Sequence, residues 1–244
     1  MKPLPLRHLA LPLAILALIG ASALLASPWM GQGFELADLS TDSQNRVTRQ
    51  LEDGSLLTLD ASSAVDLTFD TAQRHLRLLK GQVLLEVAHG DTRPFRIETP
   101  QGNLRPLDAQ VIVERLEEVT EVSVLQGRVE LEGDGRHVSL ERGQQLRFKA
   151  RSPGTVSRFD VGTRQAEWYL QRLPGDGQPL TQALERLARH RQGLLLFDRQ
   201  ALEGLRVSED LPLDDSDQAL GLLQAGLPIE VSHYTGWLTW VTRK

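Results

Sequence analysis

The chain has 244 residues, a formal net charge of −5, 41% hydrophobic and 24% charged residues, and no cysteine. That balance excludes a disordered chain. The missing cysteines exclude disulfides, thiolate catalysis and cysteine-ligated metals, and the lack of any Lys/Arg cluster beyond the start argues against a nucleic-acid partner.

Residues 9–34 contain no Asp, Glu, Lys or Arg, while Lys2 and Arg7 precede them. A helix over the apolar core at residues 9–26 would span roughly 27 Å, close to the hydrocarbon thickness of a bilayer. Basic residues before the span and none soon after it predict a short cytoplasmic tail (1–8), a transmembrane helix (9–30) in the inner membrane, and the bulk of the chain outside it, in the periplasm. Trp29 suits the membrane interface. The rival reading is a cleaved signal peptide, with Ala21, Ser22 and Ala23 as the cleavage motif.

From Arg46 to Phe148 the apolar period is two: Val65, Leu67 and Phe69; Val83, Leu85 and Val87; Phe95 and Ile97; Val122 and Val124; Val129 and Leu131; Val138 and Leu140; Leu146 and Phe148. Turn residues separate these runs, among them Gly54, Gly81, Gly102, Gly127, Gly133 to Gly135 and Gly143. Short alternating strands at this spacing predict an all-β sandwich or solenoid-like domain over 40–150. A stretch broken by Ser152, Pro153, Gly154 and Gly162 reads as a linker over 151–165.

The last region, 166–244, reads as a small βαβ-type α+β domain, so the whole is mainly β plus α+β. Leu180, Ala183, Leu184, Leu187 and Ala188 lie on one face of a helix, with Thr181 as the expected cap. Residues 194–197 read as a strand, and Leu205 with Val207 suggests another. Asp215 or Ser216 can cap a second helix carrying Ala219, Leu220 and Leu223. Leu227, Ile229 and Val231 alternate, and residues 237–241 make a last strand. The order α-β-β-α-β-β packs as a small sheet with helices on one side.

These residues resemble the periplasmic part of FecR-type anti-sigma regulators. The resemblance rests on Arg46, Leu51, Asp53, Gly54 and Ser55; on Arg74 to Leu78, Gly81 and Val87; on Arg93, Pro94 and Phe95 with Ile97 and Thr99; on Gly127 with Val129, and on Leu140 with Gly143. The region from Trp168 to Leu223 is similar to the family's C-terminal unit, related to the short N-terminal domain of secretins and TonB receptors. Asp53, Gly54, Ser55, Gly81, Arg93, Pro94, Phe95, Gly127 and Gly143 are expected in structural roles. The chain departs from the family where Leu107, Asp108 and Ala109 replace a Leu-Gly-Thr run, so the turn that glycine allows must be made differently. Residues 173–177 make a poor strand where one is expected. Only residues 1–8 precede the apolar span, so a sigma factor is expected to be held indirectly or through a separate domain.

The resemblance implies a relay from the periplasmic signalling domain of a TonB-dependent outer-membrane receptor to an extracytoplasmic-function sigma factor, in iron or siderophore uptake. The last strand, with Trp237, Leu238, Thr239, Trp240 and Val241, is the expected docking edge, by strand addition. Trp237 and Trp240 are expected on opposite faces, one inside and one at the interface; the plainer alternative is that both close the domain's own core.

Other clusters read as structural. Arg93 is expected to pair with a carboxylate while Phe95 enters the core. Glu117, Glu118 and Glu121 sit near a turn, where solvated charge is usual. No two of the six histidines have the i, i+4 spacing of a zinc helix, and no serine sits in a G-x-S-x-G frame. No catalytic residue, metal or cofactor is therefore expected, and the protein reads as a non-enzymatic regulator. The alternative is an anchored periplasmic scaffold or envelope-binding protein with no sigma-factor role.

Overall fold

The computed structural model describes residues 37–133, 136–150, 152 and 154–244. The expected cytoplasmic tail and transmembrane helix lie outside the described residues, among which no helix is long and apolar enough to cross a membrane. Asp134 and Gly135, expected in a hairpin turn, also lie outside them. The fold is mainly β with few helices.

The first eleven strands form one sheet: β1 (Leu39–Ser40), β2 (Val47–Gln50), β3 (Leu56–Leu59), β4 (Ala64–Phe69), β5 (Arg74–Glu86), β6 (Phe95–Thr99), β7 (Gly102–Arg115), β8 (Thr120–Gly133), β9 (Arg136–Glu141), β10 (Gln144–Phe148) and β11 (Val156–Arg158). The main path runs β1-β4-β5-β6-β7-β8-β10-β11. β2 hangs from β5 through β3, β9 pairs β8, and β5 also pairs β7.

Three long strands fold this sheet onto itself. The first half of β5 pairs β4 and, in parallel, β6; its second half pairs β3 and β7. β7 and β8 divide their neighbours in the same way. Each bends where its inward alternation slips by one residue. Leu76 and Leu78 give way to Val83 and Leu85, Leu104 to Val111 and Val113, and Val122 and Val124 to Val129 and Leu131, all buried. A slip of that kind is a bulge, which bends a strand and sharpens its twist. At the corners sit Gly81 (φ +82°), Asp108 (φ +43°) and Gly127 (φ +72°).

The glycines are sterically required. A Cβ on Gly127 would lie 2.1 Å from the Asp108 carbonyl oxygen, and one on Gly81 would lie 2.2 Å from Ser63 Oγ. Asp108 makes the turn for which the resemblance implied a glycine, since Asp tolerates the left-handed region better than most residues. Gly81 and Gly127 were expected to separate strands; instead each bends one continuous strand. The enclosed core holds Leu57, Leu76, Phe95, Ile97, Val111, Val124, Leu140 and Leu146, among others.

Helix α1 (Val161–Tyr169) covers the outer face of this sheet, where Val161 and Trp168 pack on Leu84, Ile112 and Leu125. The second halves of β5 and β7 and the first half of β8 are thus buried on both faces. The stretch expected as a linker over 151–165 holds β11, paired to β10, and the first turns of α1, capped by Asp160 accepting from Thr163 N at 2.8 Å.

The C-terminal lobe comprises β12 (Arg172–Leu173), α2 (Leu180–Arg189), β13 (Leu194–Phe197), β14 (Leu211–Pro212), α3 (Ser216–Gly226), β15 (Ile229–Thr235) and β16 (Leu238–Arg243). β12 pairs β14, and β13-β16-β15 form a three-stranded sheet. Its core gathers Leu180, Ala183, Leu184 and Leu187 of α2 with Ala219, Leu220 and Leu223 of α3, and with Ile229 and Val241 of the sheet. The second strand is Leu211–Pro212, not the expected run at Leu205 and Val207. That run makes an isolated bridge from Arg206 to Pro179, flanked by hydrogen bonds from Leu180 N to Leu205 O and from Val207 N to Gln178 O. Thr181 does not cap α2; Pro179 stands at the cap with no side-chain hydrogen bond. Asp215 caps α3, accepting from Gln218 N at 2.9 Å.

Candidate functional site

The expected docking strand lies in the middle of its sheet. β16 pairs β13 on one side, in parallel, and β15 on the other. Both rows of its backbone groups are spent, so strand addition cannot use it; the open edges belong to β13 and β15. The sequence could not show this, because the parallel partner comes from more than forty residues earlier, across α3. Thr239 and Val241 face the lobe's core and are fully buried. The Thr239 hydroxyl accepts from Arg191 Nη2 at 2.9 Å.

The opposite face is open. Trp240 is 41% exposed, with Leu196 and Ser232 beside it in register, and Leu238 lies beside the exposed Leu194. Trp237, in the β15–β16 turn, is 71% exposed. Neither tryptophan closes the core, contrary to both sequence readings of the pair. The product is an uncovered apolar strip of Leu194, Leu196, Leu238 and Trp240. Tryptophan in such a setting carries the largest share of binding energy at protein interfaces.

The motif residues of the β module are arranged around one buried arginine. Asp53 accepts from Ser55 N at 3.0 Å, from Ser55 Oγ at 2.6 Å and from Arg74 Nη1 at 2.7 Å. The Ser55 hydroxyl in turn accepts from Ala88 N. Arg74 donates to the Arg93 carbonyl and lies over the Phe95 ring at 5.3 Å, and its own backbone N–H donates to Pro94 O. Phe95 is buried in the core against Phe69. Arg93 pairs with Asp91 at 2.6 Å. Gly54 and Gly143 turn the chain between strands at positive φ.

The densest polar cluster of the described residues was not legible as one from sequence. Glu114 on β7 and Glu121 on β8 stand directly opposite in register on the outer face of the sheet. Like charges at such a position repel. Arg186 of α2, 6% exposed, sits against both. Its Nε donates to Glu114 Oε1 at 2.8 Å and Oε2 at 3.0 Å, and its Nη2 reaches Glu121 at 3.3 Å. Arg189 adds a second cation on Glu114, while Arg164 of α1 and Arg147 of β10 bind Glu121. Gln178 accepts from Arg186 Nη1.

Glu121 is 5% exposed, not solvated as its place near a turn suggested; Glu117 and Glu118 are exposed and pair with Arg199 and Lys149. Burial pushes the Glu114 carboxyl up, but Arg186 and Arg189 outweigh it and hold it below the usual range. Glu121 behaves alike, burial being overcome by Arg186 and Arg164.

A second cluster lies beside it. Asp60, fully buried after β3, accepts from Arg46 Nε at 2.6 Å and lies 3.2 Å from His190 Nε2 at the end of α2. Burial raises this carboxyl, yet His190 and Arg46 bring it down to about 2. Arg46 also lies over the Trp168 ring at 4.4 Å and donates to the Trp168 carbonyl. Ser62, at φ +51°, donates its hydroxyl to Arg189 O at 2.7 Å. A cavity of about 30 Å³ lined by Arg46, Trp168, Glu114, Arg186 and Arg189 has room for water. The sequence did hold one signal: Glu114 and Glu121 are equidistant from the turn at 117–118, as cross-strand partners in a hairpin must be.

Residues 37–130 match the family model described as FecR protein. This stretch, from β1 through most of β8, is FecR-like. Two crystal structures of a candidate anti-sigma factor from Parabacteroides distasonis ATCC 8503, at 2.50 Å and 1.65 Å resolution, share the fold with a TM-score of 0.75. They are 17% and 18% identical, over 84% of this chain and 98% of that one. No curated protein matches the chain. The FecR domain thus contributes Asp60, Glu114 and Glu121 to the junction, and the C-terminal lobe answers with Arg186, Arg189 and His190.

Proposed function

We propose that this protein is a membrane-anchored periplasmic signal-transduction regulator of FecR type, acting by binding rather than by catalysis. In this reading the C-terminal lobe receives the periplasmic signalling domain of a TonB-dependent outer-membrane receptor. The signal passes through the FecR domain toward an extracytoplasmic-function sigma factor, in iron or siderophore uptake, with the sigma factor held indirectly or by a separate domain. The observation that carries the reading is the open apolar strip of Leu194, Leu196, Leu238 and Trp240 on a lobe joined to a FecR domain. The FecR domain and the fold shared with a candidate anti-sigma factor support the regulatory class. A binding rather than catalytic role is supported by the buried charges, since Glu114, Glu121 and Asp60 are each consumed by arginine or histidine partners.

The test is co-purification of the full-length, membrane-extracted chain with the signalling domain of the receptor encoded beside it. Trp240→Asp, at an exposed position, should keep the fold and abolish capture. Capture unchanged by Trp240→Asp and by Leu196→Asp would remove the strip from the interface. A phosphatase fused at the carboxyl end should be active, which requires export; an inactive fusion on an intact chain would overturn the topology.

A further inference from the structure

We propose that the C-terminal lobe is a separable half of the molecule, seated on the FecR domain by a charge clasp along α2 and hinged at Leu170 and Gln171. The inference concerns how the two halves are held and does not depend on which partner binds the open strip.

Three observations converge on it. First, the two hydrophobic cores are separate, and the apolar face of α2 is used up inside its own lobe. What α2 presents to the FecR domain is polar: Arg186 to Glu114 and Glu121, Arg189 to Glu114, His190 to Asp60, and the Arg189 carbonyl to Ser62. Beyond the helix, Arg199 adds Glu117. Second, α1 is held to the same sheet by apolar packing of Val161 and Trp168, so it stays with the FecR domain when α2 leaves. Third, the chain between α1 and β12 turns through Gln171 at φ +52°, a left-handed conformation uncommon for a residue other than glycine, beside the exposed Leu170. It is a short segment that can absorb a rotation.

The chemistry makes the seating all-or-none. A buried ion pair gains little over its separated, hydrated partners, because desolvation offsets the attraction. A partly formed clasp, by contrast, leaves a carboxylate buried without its cation, which is strongly unfavourable. Glu114 sharpens this, since both of its cations, Arg186 and Arg189, come from the lobe and Glu121 faces it across one rung of the ladder. The halves are therefore either fully seated or apart, and water already has room at the seam.

Hydrogen exchange read by mass spectrometry on the full chain tests the clasp. In Arg186→Met, amides of residues 110–123 and 180–190 should exchange about a hundredfold faster, as expected when two buried carboxylates lose their shared cation and a local opening becomes accessible. Amides at 74–79 in the FecR core and at 219–223 in the lobe core should keep wild-type protection. Adding Glu114→Gln to Arg186→Met removes the carboxylate left with Arg189 alone and should recover much of the lost protection. If Arg186→Met does not fold, Arg189→Gln, which removes one of the two cations on Glu114, is read at the same peptides. Faster exchange spread evenly over both cores would mean that the halves unfold as one body and would overturn the proposal. Unchanged exchange at the seam in both variants would overturn it as well.

Discussion

Two helices cover the outer face of the FecR domain, and they do so by opposite chemistry. α1 lays Val161 and Trp168 on Leu84, Ile112 and Leu125, an apolar contact whose strength follows its buried area. α2 brings Arg186, Arg189 and His190 to three buried carboxylates. Apolar packing tolerates loss of a part in proportion; an ionic clasp does not, because each removed partner leaves a buried carboxylate less compensated. Side by side on one sheet, the pair shows how a domain can hold one neighbour permanently and another conditionally.

The contrast breaks most sharply at Arg186. Arg186→Met should destabilise the seated state by roughly 3 kcal/mol, because Glu114 and Glu121 lose their shared cation and its charged hydrogen bonds while keeping Arg189, Arg164 and Arg147, seen in urea denaturation as a separate early transition. Trp168→Ala should cost about 3 kcal/mol, as large aromatic truncations in a core do, but by lowering the main transition of the FecR domain without creating a second one. If both substitutions give the same single transition, the distinction between the helices fails.

Acid probes the second cluster. Asp60 has its carboxyl depressed to about 2 in the fold, below its ordinary 3.8. A depressed carboxylate contributes stability that is present above its unfolded value and lost as pH falls toward the folded one. Linkage puts that contribution at about 2 kcal/mol, lost between roughly pH 4 and pH 2. Asp60→Asn should flatten the melting-temperature profile across that window.

Gly127→Ala tests the corner of β8 and should cost at least about 1 kcal/mol, since an alanine is forced to positive φ and its Cβ meets the Asp108 carbonyl. The smallest effect is expected at the open strip. Trp240→Ala should change stability by no more than about 0.5 kcal/mol, as an exposed site, while weakening partner capture by about 2 kcal/mol or more if it is a hot spot. A large loss of stability there would mean that the strip is structural.

Much of this was legible in the residues. The period-two runs named β4, β5, β6, β8, β9 and β10, though not the long β7, and the face of Leu180, Ala183, Leu184 and Leu187 named α2. What misled was continuity: Gly81 and Gly127 read as turns because glycine commonly punctuates strands, yet the phase slip across each is the mark of a bulged, unbroken strand. Glu121 read as solvated for a related reason, since its place beside a turn says nothing about what docks on the outer face of the sheet. Its partner Arg186 lies sixty-five positions along the chain.

By itself the sequence determined alternation, helix faces and the start of α3 at Asp215 or Ser216, because each is set by neighbours a few residues apart. Only the tertiary structure decided that β16 is central rather than an edge, that both tryptophans of the last hairpin stay outside the core, and that three carboxylates lie buried beneath α2. Those outcomes depend on which distant segments meet, and local periodicity carries no information about the partner that a face or an edge will find.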